Sequence, residues 1–374
     1  MKTNSLGLYC HIPFCVKKCA YCDFYSLSCY EKSDRYIECL LKEAKIYQEL
    51  LPNHSFDTVY FGGGTPSSLT AYQLDKLLNG LFRIFSIERD AEVTMEANPA
   101  TLDPEKLSVL TAAGVNRISI GLQSASDSEL KTLSRIHSFS DFEHTYQVVQ
   151  RYINNISLDL MYGLPEQTLS SFRDTLTKVI SLDPSHISLY ALKIEEGTPF
   201  DRIKETLLLP DDDTVSDMYL MSGELLDSAG YLQYEISNYA KHGRLSKHNL
   251  RYWEGKSYIG LGPSAHSYWQ GVRYANSSDL DGYIRSLSNG TVPVRSEEYH
   301  LDQNDLLEEA IILPLRTTRG LDVEGLQLTY GYDIRNKLSP YLLNGFMVME
   351  GSFVKFTRKG FLVSNSILSD LLPL

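Results

Sequence analysis

The sequence predicts an α/β fold: a partial (β/α)6 barrel left open at six strands, followed by a small C-terminal α+β domain of winged-helix type. Three observations predict it. Up to about residue 200, short β-rich runs alternate with longer amphipathic segments, as parallel βαβ units with right-handed crossovers do. Distinctive polar residues fall at the C-terminal ends of those runs, the rim where a barrel collects a site; a doubly wound sheet would focus its ligand at one switch point. Beyond residue 200 the alternation stops, and an aromatic-rich stretch is followed by a helix, Gly- and Arg-punctuated segments and a hairpin pattern.

Strands are placed at Leu8–Ile12, Asp57–Phe61, Glu92–Glu96, Arg117–Gly121, Ser157–Met161 and His186–Leu189. Helices fall near 32–50, 71–85, 104–112, 126–153 (in two pieces) and 168–181. Pro210-Asp-Asp-Asp213 reads as a turn and helix start, with a carboxylate able to cap a helix over roughly 212–229. The aromatic stretch runs from Tyr231 to Trp269, and a hairpin is expected over Met347–Phe356. The expected organisation is a barrel over 1–200, a barrel-closing region over 201–300 and an accessory domain over 301–374.

Composition narrows the function. The chain has 374 residues, 43% hydrophobic and 22% charged, ordinary values for a soluble protein. Its net charge of −12 argues against nucleic acid as a partner, because a broad grip on phosphates needs a basic surface. The start, Met1-Lys-Thr-Asn-Ser-Leu-Gly, has no apolar run of signal-peptide length. No stretch of about 18 apolar residues occurs, so membrane contact is expected to be peripheral at most. All six cysteines (10, 15, 19, 22, 29 and 39) lie in the first 39 residues. Such crowding fits a metal site in a reducing compartment better than a disulfide framework. The expected location is cytoplasmic.

The cysteines also carry the sharpest chemical signal. Cys15-Val-Lys-Lys-Cys19-Ala-Tyr-Cys22 has the spacing C-x3-C-x2-C. Three thiolates this close can hold three irons of a [4Fe–4S] cubane and leave the fourth open to a small molecule. Structural zinc is the alternative, with His11 or Cys29 as a fourth ligand, although no second C-x2-C pair occurs. Gly62-Gly63-Gly64-Thr65-Pro66 follows a strand; consecutive glycines let backbone approach a ligand closely. The run lacks the Lys-Ser/Thr ending of a phosphate loop. Glu96 ends a strand and could pair with a ligand ammonium. Gln123 and Arg135 could take a ribose hydroxyl and a carboxylate, the latter in a bidentate fork. Asp159 ends an apolar strand and needs a partner there. A second constellation, Lys247-His248-Asn249-Leu-Arg-Tyr252-Trp253 and Tyr258 to Ser267, combines histidines with flat rings. It reads either as a tetrapyrrole contact or as an aromatic wall closing the barrel, with His248 and His266 as satisfied core residues.

These motifs resemble the radical S-adenosylmethionine (SAM) superfamily, whose signature is C-x3-C-x2-C with an aromatic residue before the last cysteine. More narrowly, the chain is similar to the oxygen-independent coproporphyrinogen III oxidase family. Tyr9-Cys-His-Ile-Pro-Phe-Cys15, Gly62–Pro66, Asp159-Leu-Met-Tyr-Gly-Leu-Pro165, Tyr234–Tyr239, His248–Trp253 and Phe356-Thr-Arg-Lys-Gly360 carry the likeness. The resemblance implies a [4Fe–4S] cluster on Cys15, Cys19 and Cys22, with SAM chelating the free iron. One-electron transfer would cleave SAM to methionine and a 5′-deoxyadenosyl radical. By the same resemblance Tyr9, Gly62, Gly63, Gly64, Thr65, Glu96, Gln123, Arg135, Asp159 and Ala191 surround SAM, and Tyr21 lies beside the cluster. Two features depart from the decarboxylating oxidases. Cys22 is followed by Asp23 and Phe24 where those enzymes carry a further cysteine, and only eight residues precede Tyr9. Both match the haem-chaperone branch of the family, of HemW type. That branch implies haem as cargo, with His248 or a neighbour in contact with it over 201–300. It also implies respiratory haem-accepting proteins and an electron donor as partners. Coproporphyrinogen III decarboxylation is the alternative activity.

Overall fold

The computed structural model describes residues 5–373; the polar start at Met1–Asn4 lies outside them. Six parallel strands form the centre: β1 (Ser5–Ile12), β2 (Ser55–Gly63), β3 (Ile87–Ala97), β4 (Arg117–Gln123), β5 (Ile156–Tyr162) and β6 (His186–Ala191). They stand in sequence order, each hydrogen-bonded to the next. Most of β1 and β4 is buried, as expected of parallel strands covered on both faces. Between the strands run α1 (Ser33–Leu50), α2 (Ala71–Ile84), α3 (Pro104–Ala112), α4 (Asp127–Thr132), α5 (Phe139–Gln150) and α6 (Leu169–Ser181).

Local chemistry sets the helix starts. Thr70 and Ser138 form capping boxes with Gln73 and Asp141, and Asp103 accepts from the Lys106 amide with Pro104 in the first turn. Each arrangement satisfies amides that a helix N-terminus leaves without partners. The buried face of α2 is Leu74, Leu77, Leu78 and Leu81, one stripe at helical spacing. The expected α/β class and its strand order are therefore found, with a cavity running down inside the strands.

The 201–300 region behaves differently from a closing wall. After α7 (Pro199–Arg202) and α8 (Asp212–Ser228), β7 (Leu232–Gln233) and β8 (Asn238–Ala240) extend the sheet, β8 pairing antiparallel with β6 and β7 antiparallel with β8. After α9 (Lys247–Trp253), β9 (Tyr258–Leu261) adds parallel to β1. Then β10 (His266–Trp269), β11 (Val272–Asn276) and, after α10 (Leu280–Ser288), β12 (Arg295–His300) continue outward. The result is one open twelve-stranded sheet, extended at both edges. A two-residue turn joins β10 to β11 with Gln270 and Gly271 at φ 53° and 76°, the left-handed pair that matches hairpin twist. Edge strand β12 is exposed along its length and charged, which discourages pairing with other chains.

The tail folds as α11 (Gln303–Leu315), β13 (Leu321–Asp322), α12 (Val323–Tyr330), α13 (Arg335–Leu343), β14 (Met347–Glu350), β15 (Phe353–Phe356), α14 (Arg358–Leu362) and α15 (Ser364–Leu371). Its sheet order is β13-β15-β14, antiparallel throughout. That is the helix–strand–helix–helix–hairpin order of a winged helix.

Candidate functional site: a cysteine loop over a charged barrel cavity

The loop after β1 is fixed from several sides. The Cys15 amide donates to the Leu27 carbonyl at 3.0 Å, and the Leu27 amide returns to Pro13 at 2.8 Å. The Gly64 and Thr65 amides donate to the Ile12 and Phe14 carbonyls at 2.9 and 2.7 Å. Further along, the Ala20 amide donates to Leu133 and the Ala20 carbonyl accepts from Phe200. Backbone of four segments thus holds the three thiols at one mouth of the barrel. There they line a cavity of about 400 Å³.

Gly64 is required by this packing. A Cβ on it would stand 2.6 Å from the Phe14 carbonyl oxygen and 2.9 Å from both the Ile12 oxygen and the Phe14 nitrogen. Those are backbone atoms, so the loop ahead of Cys15 would have to move. Gly64→Ala should therefore destabilise the fold by about 1–3 kcal/mol and lower iron bound per chain. Urea unfolding and iron analysis check both effects, and wild-type values in both would refute the packing argument.

The cavity wall is built from inward rows of the strands. Gly63, Gly64, Thr65, Glu96, Gln123, Arg135, Asp159, Ala191, Tyr21 and the three cysteines all line it. Tyr9, Gly62 and His248 do not. Tyr9 sits one layer behind, its hydroxyl 3.1 Å from His11 Nδ1 and its ring stacked on Tyr60. Gly62 backs the Glu96 carboxyl, 3.1 Å from where a Cβ would stand. His248 is buried, with Nδ1 2.9 Å from the Thr58 hydroxyl, Nε2 2.8 Å from Tyr252 and its ring stacked on Tyr60. Both nitrogens are committed, so the ring that the sequence offered as a haem contact is a satisfied core histidine here. His266, expected to be buried as well, is exposed at the start of β10.

Around the thiols the chemistry is electrostatic. Arg135 places Nη1 3.5 Å from the Cys19 sulfur, while Nη2 donates to Asn98 at 2.6 Å and to the Gly121 carbonyl at 2.5 Å. The guanidinium is braced against the cysteine loop and has little of its fork left for a ligand carboxylate. Burial pushes the Cys22 thiol up to about 11, a proton that metal binding displaces. Thr65 Oγ1 lies 3.4 Å from the Cys15 sulfur.

Deeper in, Glu96 Oε1 accepts from the Tyr60 hydroxyl at 2.8 Å and Oε2 from the Gly63 amide at 3.2 Å. Desolvation, reinforced by the charge of Asp159, pushes the Glu96 carboxyl up to about 7. Asp159 accepts from the Ser119 hydroxyl at 3.1 Å on each oxygen, and burial raises its carboxyl too. Two buried carboxyls, both shifted upward by desolvation, are poised to take a cationic ligand. Gln123 reaches the cavity from a left-handed backbone (φ 71°) at a register shift between Gly121 and Gln123. Such strain in a non-glycine residue is characteristic of functional sites.

Sequence reasoning missed Arg117. It lines the cavity, is 1% exposed, and its Nε has no hydrogen-bond partner among the described residues. The signal was there: Arg117, Ser119, Gly121 and Gln123 all line the cavity, the inward row of one strand at period two. Tyr60, Asn98 and Ser188 were missed as well, while Tyr190, a rim residue in the sequence, and Asn249, placed there in the aromatic constellation, also line the cavity.

The donor set fits an iron–sulfur cluster better than zinc. His11, one candidate fourth zinc ligand, has Nδ1 3.1 Å from the Tyr9 hydroxyl and Nε2 2.8 Å from the Tyr25 carbonyl, and burial lowers it to about 4. Cys29 does not reach the cavity wall. Among the described residues no three Cys, His or acidic side chains converge tightly enough for a single ion. The three thiols instead share one cavity, as separate irons of a cubane require.

Comparison with known proteins now bears on this geometry. The Radical SAM superfamily pattern matches residues 9–179, and the HemN C-terminal domain pattern matches residues 301–363. Heme chaperone HemW of Bacillus subtilis (strain 168) is 35% identical over 97% of this chain and 98% of its own length. The protein chain belongs to the HemW family of radical SAM proteins. HemW of Escherichia coli (strain K12) is likewise 35% identical, over 98% of both chains. The mouse protein Radical S-adenosyl methionine domain-containing protein 1, mitochondrial, is 34% identical over 98% of this chain and 87% of its own. The structure of coproporphyrinogen III oxidase (HemN) from Escherichia coli, a radical SAM enzyme, superposes with a TM-score of 0.86 at 23% identity, covering 99% of this chain and 90% of that one. The barrel and the winged-helix tail are thus an architecture that this chain shares with HemN.

Proposed function

We propose that this chain is a haem carrier of HemW type that delivers haem to respiratory acceptor proteins. In this reading Cys15, Cys19 and Cys22 hold a [4Fe–4S] cluster, fed by an electron donor, that supplies single electrons to bound SAM. Glu96 takes the ammonium of SAM, Gly63–Thr65 offer backbone groups to its amino-acid part, and Gln123 and Asp159 face its ribose side. The observation that carries the reading is the single cavity joining three unpaired thiols to two buried carboxyls that desolvation shifts upward, in a chain alike over its whole length to proteins named haem chaperones. The unpaired cysteines fit a cytoplasmic location. No helix among the described residues is long and apolar enough to cross a membrane, so contact with membrane-bound acceptors would be peripheral.

The test separates carrier from oxidase. Anaerobically reconstituted protein with SAM and reductant should take up haemin stoichiometrically and transfer it to an apo-acceptor. It should form no protoporphyrinogen from coproporphyrinogen III. Turnover of coproporphyrinogen III would favour the oxidative decarboxylase, and failure to take up haemin would remove the carrier reading.

A further inference from the structure

Resting on the haem-carrier reading, we infer that haem sits outside the barrel, in the cleft between α9 and the C-terminal domain. The barrel cavity, about 400 Å³, is the place of the cluster and SAM in that reading. The cleft is larger, about 700 Å³, within the range of pockets that hold sizeable organic ligands. Helix α9 is the wall between the two. It is pinned to the sheet by the Glu92 carboxylate, which accepts from the Lys247 and His248 amides at 3.0 Å each, and by the Arg251–Asp57 ion pair. Asn249 lines the barrel cavity, whereas Leu250 and Trp253 line the cleft.

Across from them stand Leu326 and Tyr330 of α12 and Phe353 of β15, with Arg319 between α11 and β13. The walls are therefore mainly apolar and aromatic, suited to the face of a macrocycle. Most of the polar side chains are spent on protein partners: Tyr234 lies 2.7 Å from His186, and Glu254 pairs with Lys256 at 2.5 Å. Arg319 and Tyr330 are not; among the described residues neither side chain has a hydrogen bond or an ion pair, and Arg319 lies over the Phe353 ring. A free guanidinium and a free phenol are the handles that ferric haem needs, one for a propionate and one for the iron. Of the side-chain types that ligate haem iron, His, Cys, Met and Tyr, the cleft offers only tyrosines among its lining residues. Tyr234 is committed, so Tyr330 is the axial donor.

The experiment is haemin titration of the reconstituted full chain, wild type and three variants. Thr329 is exposed on α12 and lines the cleft, so Thr329→Trp fills the site without disturbing the core. It should weaken haemin binding about tenfold or more. Tyr330→Phe should abolish the phenolate-to-iron charge-transfer band. Arg319→Gln should lower haemin affinity to that of haemin dimethyl ester, which lacks free carboxylates; the ester should bind the wild type more weakly than haemin does. Wild-type affinity in Thr329→Trp together with an unchanged spectrum in Tyr330→Phe would overturn the cleft while leaving the carrier reading intact. No haemin uptake by the wild type would overturn both.

Discussion

Cys19→Ala protein, reconstituted anaerobically, will be colourless: the broad absorption near ~400 nm expected of a [4Fe–4S] centre will be lost, and iron per chain will fall with it. A cubane held by three thiolates has no spare ligand, and the loop offers no substitute. Both ring nitrogens of His11, one candidate substitute, are bound to Tyr9 and Tyr25. The change also strands Arg135, whose Nη1 faces the Cys19 sulfur at 3.5 Å, leaving a guanidinium without its anionic neighbour. The specific form of the prediction is the contrast with Cys29→Ala. Cys29 packs against the hydrophobic core and stands off the cavity wall, so that variant should keep its full chromophore. Equal loss in both variants would show that the cysteines act through stability, and a full spectrum in Cys19→Ala would overturn the ligand assignment.

Much of this arrangement is readable from the chain because parallel strands and their caps announce themselves locally. Strand β3 shows the limit. Its expected start at Glu92 lies five residues inside the actual one, because Glu88, Arg89 and Asp90 are polar and largely exposed and hide the edge of an otherwise buried strand. The 201–300 region was harder for a different reason. Strands of two to four residues such as β7, β8 and β9 are too short to show a period. What makes them strands is a neighbouring edge that only the folded sheet supplies. At the site, rim residues at strand C-termini were visible, whereas Arg117 stands at the start of its strand, away from the rim where a barrel collects its site. His248 illustrates ambiguity that no pattern resolves. The same imidazole that could ligate iron serves equally well to bridge Thr58 and Tyr252 in a dry interior, and only the partners decide.

SAM affinity should rise between pH 6 and pH 8, and Glu96→Gln should weaken binding by about tenfold or more while leaving the cluster chromophore in place. Without ligand, burial holds the Glu96 carboxyl at about 7, so at pH 6 it is mostly protonated and neutral. Pairing with an ammonium requires the carboxylate. Binding below pH 7 must therefore expel a proton, and the observed affinity drops up to tenfold per unit as pH falls. Above pH 7 the carboxylate is already formed and the dependence levels off. Glu96→Gln should flatten the profile, because the carboxyl that titrates near 7 is then gone. Glutamine keeps the shape against Gly62 and can still meet the Tyr60 hydroxyl, which separates loss of charge from loss of packing. Equilibrium dialysis of SAM across this pH range, with proton release followed in weak buffer, checks both parts. Unchanged affinity in Glu96→Gln would make Glu96 a structural partner of Tyr60 and Gly63, and a flat profile in the wild type would mean that its carboxyl is ionised before SAM arrives.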